Sequence, residues 1–367
     1  MSDRLSPGGV VLDADRQTAD GAPFAPSPVF ASTYHLTGDP TGRPFPYGRT
    51  DNPSWRALEA TLGRLEGGEA VAFPSGMAAS VAALAPFLHP GDLLVMPADG
   101  YFATRRYAES VLAGWGVRVI TVPTSEMTAA PFAGARLVWI ETPSNPGLDL
   151  CDIAAVAERA HAAGALVVAD NTTATPLGQR PLGLGADLVV SADSKAINGH
   201  SDVVFGHVAA RDAAHVEVAR DWRNLTGSIP GPMETWLVQR GLMTLDVRLE
   251  RMSTSALTIA GRLRAHPLVR ALRYPGLDDD PAHALARRQM TSFGFLLGVD
   301  FVDEATARRF LERTRLIKEA TSFGGAHTSA EQRSRWGGDA VMPSFVRLSV
   351  GLEPVDDLLS DIEEALS

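Results

Sequence analysis

Lysine is scarce in this chain of 367 residues: among 33 basic side chains only Lys195 and Lys318 are lysine, and the others are arginine. Arginine stays protonated and cannot act as an amine nucleophile, so a lysine retained in such a background is a candidate for imine chemistry. Lys195 follows the apolar run Leu188–Ser191 in Ala192-Asp193-Ser194-Lys195. Desolvation at the end of a buried strand lowers an amine's pKa and frees its lone pair. Asp170 ends a second such run, Leu166–Asp170, and a carboxylate at the margin of a core needs a cationic or hydrogen-bonding partner. Pro74-Ser75-Gly76-Met77-Ala78 reads as a tight turn into a helix, whose free N–H groups and positive dipole end suit a phosphate.

These residues need elements to carry them. Asn52-Pro53 caps a helix with Trp55, Leu58, Leu62 and Leu65 on one face, ended by Gly67-Gly68. Strand-like runs follow at Ala70–Phe73, Leu93–Pro97, Val117–Val122, Leu137–Glu141, Leu166–Asp170, Leu188–Ser191 and Val203–Ala209, with helix-length stretches at Ala78–Leu88, Thr104–Trp115 and Ile153–Ala163. Apolar runs without alternation, interleaved with helices, predict a mostly parallel sheet in a three-layer α/β domain. In such sheets ligand groups come from the loops at the carboxyl ends of strands. From about residue 232 the pattern changes to one long helical stretch, Glu234 to Ala265, then strands at Val269–Tyr274, Phe293–Val299 and Phe345–Val350 and helices at Glu304–Thr314 and Asp356–Leu366. The predicted organisation is an extended N-terminal arm over residues 1–48, a large α/β domain over 49–232 and a smaller α+β domain over 233–367.

Composition narrows the function. The 43 acidic residues outnumber the 33 basic ones, for a net charge of −10, and no basic block tracks a phosphate backbone, so nucleic acid is not an expected partner. The most apolar window, Ala70 to Leu88, is broken by Pro74, Ser75, Gly76, Ser80 and Pro86, so no membrane span is expected. The first thirty residues lack the basic start and apolar core of a secretory signal, which predicts a cytoplasmic protein. A single cysteine, Cys151, makes no internal disulfide and, beside Leu150 and Ile153, reads as a small buried residue. No metal site is expected. A dehydrogenase on a nicotinamide-binding sheet would carry a Gly-x-Gly-x-x-Gly turn after an early strand, and the chain has none.

A phosphate-binding turn, a strand-tip aspartate and a strand-tip lysine form the set that pyridoxal 5'-phosphate requires: an amine for the Schiff base, a carboxylate for the pyridine nitrogen and N–H donors for the phosphate. The chain resembles the Cys/Met-metabolism family of pyridoxal phosphate enzymes from about Pro26 to Leu366. The motifs that carry the resemblance begin with Tyr47-Gly48-Arg49, Asn52-Pro53, Ser75-Gly76-Met77-Ala78-Ala79, Glu141-Thr142-Pro143-Ser144-Asn145-Pro146 and Asp170-Asn171-Thr172. They continue, in the family's order, through Ser194-Lys195, Gly199-His200-Ser201-Asp202, Arg240-Gly241-Leu242-Met243-Thr244-Leu245, Tyr274-Pro275-Gly276 and Arg347-Leu348-Ser349-Val350-Gly351.

The resemblance implies the type I fold of pyridoxal phosphate-dependent transferases and a homo-oligomer, a dimer of dimers, with active sites shared between subunits. It implies that Lys195 holds the cofactor and shuttles protons, Asp170 pairs with the ring nitrogen, and Thr172 and Asn145 lie nearby. Gly76, Met77 and Ser194 bind the phosphate, while Tyr47 and Arg49 reach the phosphate of the neighbouring subunit. Tyr101 stacks on the ring and exchanges a proton, and Arg347 grips the substrate α-carboxylate, with His327 and Thr328 at the substrate's side. The implied activity is that of a carbon–sulfur lyase converting L-cystathionine to L-cysteine, 2-oxobutanoate and ammonia. Its alternatives are γ-replacement of the cystathionine γ-synthase type and methionine γ-elimination. Three positions depart from the family pattern: Ala192 where a serine is common, Phe102-Ala103 where glycines usually follow the stacking tyrosine, and His327 where γ-specific members carry glutamate.

Overall fold

The computed structural model describes residues 5–13, 19–23 and 25–367; residues 1–4, 14–18 and 24 of the expected arm lie outside the described residues. The arm is not extended throughout. Helix α1 (Pro7–Asp13) starts where Ser6 turns the chain, its carbonyl and hydroxyl accepting from Val10 N at 2.9 Å and Gly9 N at 3.2 Å. Val10 and Val11 pack among Leu58, Leu62, Leu245 and Leu249, and that burial gives a short segment a reason to be helical.

The expected cap is in place: Asn52 accepts from Ser54 N at 2.8 Å with Pro53 opening helix α2 (Pro53–Glu66), which ends at Gly67 in the left-handed region at φ 84°. Then come strand β1 (Glu69–Phe73), helix α3 (Gly76–Leu84), β2 (Leu93–Pro97), α4 (Phe102–Tyr107), β3 (Arg118–Val122), β4 (Ala135–Glu141), α5 (Ile153–Ala162) and β5 (Leu166–Asp170). A short α6 (Thr175–Gly178), β6 (Leu188–Ser191), β7 (Gly206–Ala210) and α7 (Ala213–Thr226) complete this part. The seven strands form one sheet in the order β1-β7-β6-β5-β4-β2-β3. Strands β2 to β6 run parallel, and β7 is antiparallel to both its neighbours. Antiparallel pairing on both sides of β7 aligns β1 with β6, so the carboxyl ends of β1, β4, β5 and β6 share one edge of the sheet. Asp170 sits beside Glu141 on that edge.

The expected strand at Val203–Ala209 begins only at Gly206, because Ser194 Oγ claims the backbone of Phe205, accepting from its N–H at 2.8 Å and donating to its carbonyl at 3.0 Å. The expected single helix over Glu234 to Ala265 is two, α8 (Pro232–Leu242) and α9 (Leu245–Leu263). The break falls where Gly241 presses on the Asn198 carbonyl, so close that a Cβ would lie 2.3 Å away, and where Arg248 donates to Gly241 O at 2.8 Å. Val238, Leu242, Leu245, Leu249 and Met252 of these helices pack with Leu58 and Leu62 of α2.

A second sheet follows, from β8 (Val269–Arg273), α10 (His283–Gln289), β9 (Leu296–Phe301), α11 (Glu304–Arg313), β10 (Lys318–Glu319), β11 (Ser329–Gln332), β12 (Phe345–Ser349) and α12 (Val355–Leu366). Its order is β10-β11-β12-β9-β8, antiparallel except between β10 and β11. The antiparallel register sets Glu331 of β11 opposite Arg347 of β12. No described helix is long and apolar enough to cross a membrane, and no cluster of three His, Cys, Asp or Glu among the described residues could hold a metal.

Candidate active site

A cavity of about 830 Å³ opens at the carboxyl edge of the seven-stranded sheet, facing the second sheet. Both lysines of the chain line it, as do Gly76, Met77, Tyr101, Asn145, Asp170, Thr172, Ser194, His327 and Thr328. The sheet topology explains this convergence, since each residue follows, ends or faces a strand tip on the shared edge.

Ser75 caps α3, its Oγ accepting from Ala78 N at 3.0 Å. The amides of Gly76 and Met77, first in the helix, have no acceptor within it. A Cβ on Gly76 would lie 2.5 Å from the Ala192 Cβ, so only glycine lets this turn close on the Lys195 loop. Ser194 is less available than expected, because its one hydroxyl proton goes to Phe205 O.

Asp170 is buried, with Oδ1 accepting from Thr172 N at 3.0 Å. Thr172 Oγ1 in turn accepts from Ala192 N at 2.8 Å, tying the two strand tips together. Burial raises the Asp170 pKa, against the hydrogen bonds of Thr172 and the charge of Lys195. Next to it, burial and the Asp170 charge push Glu141 well above the carboxylate range. Its Oε1 and Oε2 accept from Asn145 N at 2.8 Å and Tyr101 N at 2.6 Å, so this carboxyl fixes two predicted site residues at once.

Lys195 Nζ donates to Ser322 Oγ at 2.9 Å and lies 5.3 Å from the centre of the Phe323 ring. Burial, then the charges of Arg347 and Arg333, lower its pKa to about 8, with Glu331 and Asp170 opposing. Ser322 has φ 80°, a left-handed conformation that costs a non-glycine residue on the order of 1–3 kcal/mol and tends to collect at functional sites. Arg347 Nη2 anchors it through the Ser322 carbonyl at 2.8 Å. Arg347 is itself 3% exposed, with Nη1 on Asn145 Oδ1 and Nη2 also on Glu331 Oε2 at 2.9 Å, behind the cavity wall rather than in it.

Tyr101 is partly exposed, its ring edge-on to Phe102 at 5.3 Å. Burial raises the phenol's pKa, with Arg333 pulling the other way. Thr328 is buried and held by Glu353, donating from N at 2.9 Å and Oγ1 at 2.6 Å, whereas the His327 side chain is 90% exposed at the rim. Tyr47 and Arg49 do not reach the cavity. Arg49 lies 5.8 Å over the Tyr47 ring and donates to Asn224 O at 2.8 Å on the outer surface. Cys151 is buried, and burial pushes its thiol up to about 12.

Sequence reasoning missed Glu141, Ser322, Glu331 and Arg333. Glu141 carried the same signal as Asp170, a carboxylate after a buried apolar run. Ser322 lies in a loop, and Glu331 and Arg333 lie on a four-residue strand and the turn that follows it, too short to show a pattern.

Asp170 has no basic nitrogen within 4.0 Å among the described residues, although a buried carboxylate calls for a cation. A protonated pyridine nitrogen would meet that need, the depressed Lys195 amine suits an aldehyde, and the glycine-tight turn at α3 suits a phosphate. The residues fit pyridoxal 5'-phosphate, and fold and site together define a pyridoxal phosphate-dependent enzyme. Comparison with known proteins agrees: residues 12–367 match the family described as Cys/Met metabolism PLP-dependent enzyme, and the chain belongs to that family.

A Streptomyces coelicolor protein named "Putative cystathionine gamma-lyase" is 50% identical over 350 residues, spanning 94% of this chain and 89% of that protein. A cystathionine gamma-synthase of Mycobacterium bovis is 41% identical over 334 residues, spanning 88% and 86%. The crystal structure of the cystathionine gamma synthase of Xanthomonas oryzae in complex with cystathionine is 36% identical with a TM-score of 0.94, over 99% of this chain and 98% of that one.

Proposed function

We propose that the protein is a cystathionine γ-lyase, taking L-cystathionine and water to L-cysteine, 2-oxobutanoate and ammonia in the cytoplasm. The observation that carries this reading is the pairing, in one cavity, of a lysine amine lowered to about 8 with a tyrosine whose phenol is raised. At neutral pH a share of the first, on the order of a tenth, is free amine able to take a proton, and the second holds one to give. Bound pyridoxal phosphate supplies an electron sink for the charge that develops when the α-proton leaves.

In this proposal Arg347, which stands behind the lining residues Asn145 and Ser322, turns Nη1 from Asn145 Oδ1 to the cavity and, with Asn145, orients the substrate α-carboxylate, a planar task suited to a guanidinium. Lys195, released from Ser322, would take the α-proton, return it to the bound substrate–cofactor system and, as a free amine again, take a β-proton on the same face. Tyr101 gives its proton to the thiolate leaving from the γ-carbon. Asp170 holds the ring-nitrogen proton with Thr172 close by, and Gly76, Met77 and Ser194 hold the phosphate, Ser194 turning its hydroxyl away from Phe205 to do so. Thr328 fixes the strand entry beside the substrate, and His327 meets its distal polar end.

Tyr47 and Arg49, remote from their own chain's cavity, serve the phosphate of a second subunit in a dimer, two of which associate. The support for this reading is that Arg49 bonds Asn224 on the outer surface, where the adjacent Leu225 is 86% exposed. The chain then works as an arm over 1–48, a cofactor-binding unit over 49–232 and a C-terminal unit over 233–367.

Gamma-replacement is the second reading, favoured by the synthase names among the relatives at 41% and 36% identity. Purified holoenzyme would be given L-cystathionine while keto acid and free thiol are followed, and in parallel an activated homoserine ester with cysteine. Faster release of both products than synthesis of cystathionine supports the lyase; the reverse order moves the assignment to the synthase.

A further inference from the structure

Arg347 does not hold its position alone. Its cross-strand partner Glu331 has a carboxylate fixed by three donors: Arg347 Nη2 at 2.9 Å, Arg333 Nη1 at 2.9 Å and Trp336 Nε1 at 2.6 Å. Two of the three come from the turn Arg333–Trp336 that follows β11. Arg333 is in turn gripped by Asp339, through Nε at 2.8 Å and Nη2 at 2.6 Å. The side chains of Glu331, Arg333, Asp339 and Arg347 are 1%, 5%, 2% and 2% exposed, so two cations and two anions form one buried, charge-balanced cluster.

The far end of the segment is tied to the helix after Tyr101. Arg105 Nη2 donates to Gly338 O at 2.6 Å, and Gly338 packs so tightly that a Cβ would lie 2.9 Å from the Phe102 ring. Continuous contacts therefore run from α4 through residues 333–339 and Glu331 to Arg347.

We propose that the segment 333–339, with Arg333 at its centre, is a positioning clamp that sets the affinity of the site for the substrate α-carboxylate without touching it. The inference rests on the reading that Arg347 binds that carboxylate. Glu331 divides its charge between Arg333 and Arg347, with the half-exposed Arg335 3.7 Å from its other oxygen and shared with Glu319. Remove Arg333 and Arg347 becomes the one buried cation left on Glu331 and takes the larger part of its charge, while Glu331 loses one of its three hydrogen-bonding anchors. Both effects weaken the hold of Arg347 on an incoming carboxylate.

The test measures binding. L-Alanine has no group to eliminate, so it binds without turnover, and the holoenzyme's visible cofactor absorbance reports the titration. Ethylamine is the same molecule without the carboxylate. Arg333→Met is expected to weaken L-alanine about tenfold, roughly 1.4 kcal/mol, and to leave ethylamine unchanged, with Arg333→Lys intermediate because an ammonium cannot fork two carboxylates.

Arg333→Met strands Asp339, so Arg333→Met/Asp339→Leu, which removes both charges, is measured alongside; replacing a buried pair by apolar groups is often tolerated. If the first variant does not fold, the second decides. L-Alanine bound as by the parent in these variants, while Arg347→Lys weakens it, overturns the clamp and leaves the role of Arg347 standing. An Arg347→Lys variant that binds L-alanine normally refutes that role and the clamp with it. Equal weakening of L-alanine and ethylamine marks general disruption and also overturns the clamp.

Discussion

Capture of pyridoxal phosphate by the cofactor-free protein should accelerate with pH around the midpoint of the Lys195 amine. Burial and the positive charges of Arg347 and Arg333 bring that amine from 10.5 to about 8, outweighing Glu331 and Asp170. At pH 7.5 an ordinary lysine is unprotonated about one part in a thousand, each pH unit being a factor of ten. At a pKa of about 8 the unprotonated share is roughly one quarter, a gain on the order of 200-fold in reactive amine. Stopped-flow absorbance after mixing protein and cofactor between pH 6 and 10 gives the profile, with Lys195→Ala as the blank. Arg347→Gln removes a cation that disfavours the ammonium, so it should move the midpoint up, whereas Glu331→Gln should move it down. A parent midpoint close to 10.5, or a downward shift in Arg347→Gln, would refute this electrostatic reasoning.

Three further outcomes follow from the packing. Gly76→Ala forces a methyl against Ala192 at 2.5 Å, and overpacking of this kind costs about 1–3 kcal/mol; equilibrium dialysis should show weaker cofactor retention than in the parent. His207 is fully buried between Asp193 Oδ1 at 2.8 Å and Glu66 Oε1 at 3.3 Å. Burial pulls it down, but the charge and hydrogen bond of Asp193, with Glu66, prevail and push it up to about 10. His207→Gln strands two acids and should cost about 3–5 kcal/mol in urea denaturation. Because the folded pKa is raised, the parent's advantage is full below about 6.5 and fades as pH rises through about 10. Cys151, buried with its thiol raised to about 12, should resist a thiol reagent until the chain unfolds.

The strands were readable where burial on both faces wrote apolar runs. β2, β5 and β6 match their runs end to end, and Asp170 and Lys195 stand out because polar groups interrupt those runs at the tips. Glu141 carries the same signal, a carboxylate closing the buried run of β4. Position alone could not show that Ser194 spends its hydroxyl on Phe205, nor that this shortens β7. The environment of Arg347 was out of reach for a different reason. Strand β11 has four residues, and its pairing with β12 brings Glu331 and Arg333 to a residue more than a dozen positions away, through register rather than through any local pattern. Helix α1 likewise owes its existence to Val10 and Val11 finding α2 and α9, a tertiary effect that seven residues do not announce.

The central claim is that one particular lysine of two holds the cofactor. Reducing the holoenzyme with borohydride would fix the cofactor on its amine, and peptide mass spectrometry after digestion would read its position. The account predicts the added mass on the peptide containing Lys195 and none on the peptide containing Lys318, although both residues line the same cavity. Label on Lys318, or on neither after reconstitution with pyridoxal phosphate, would contradict it.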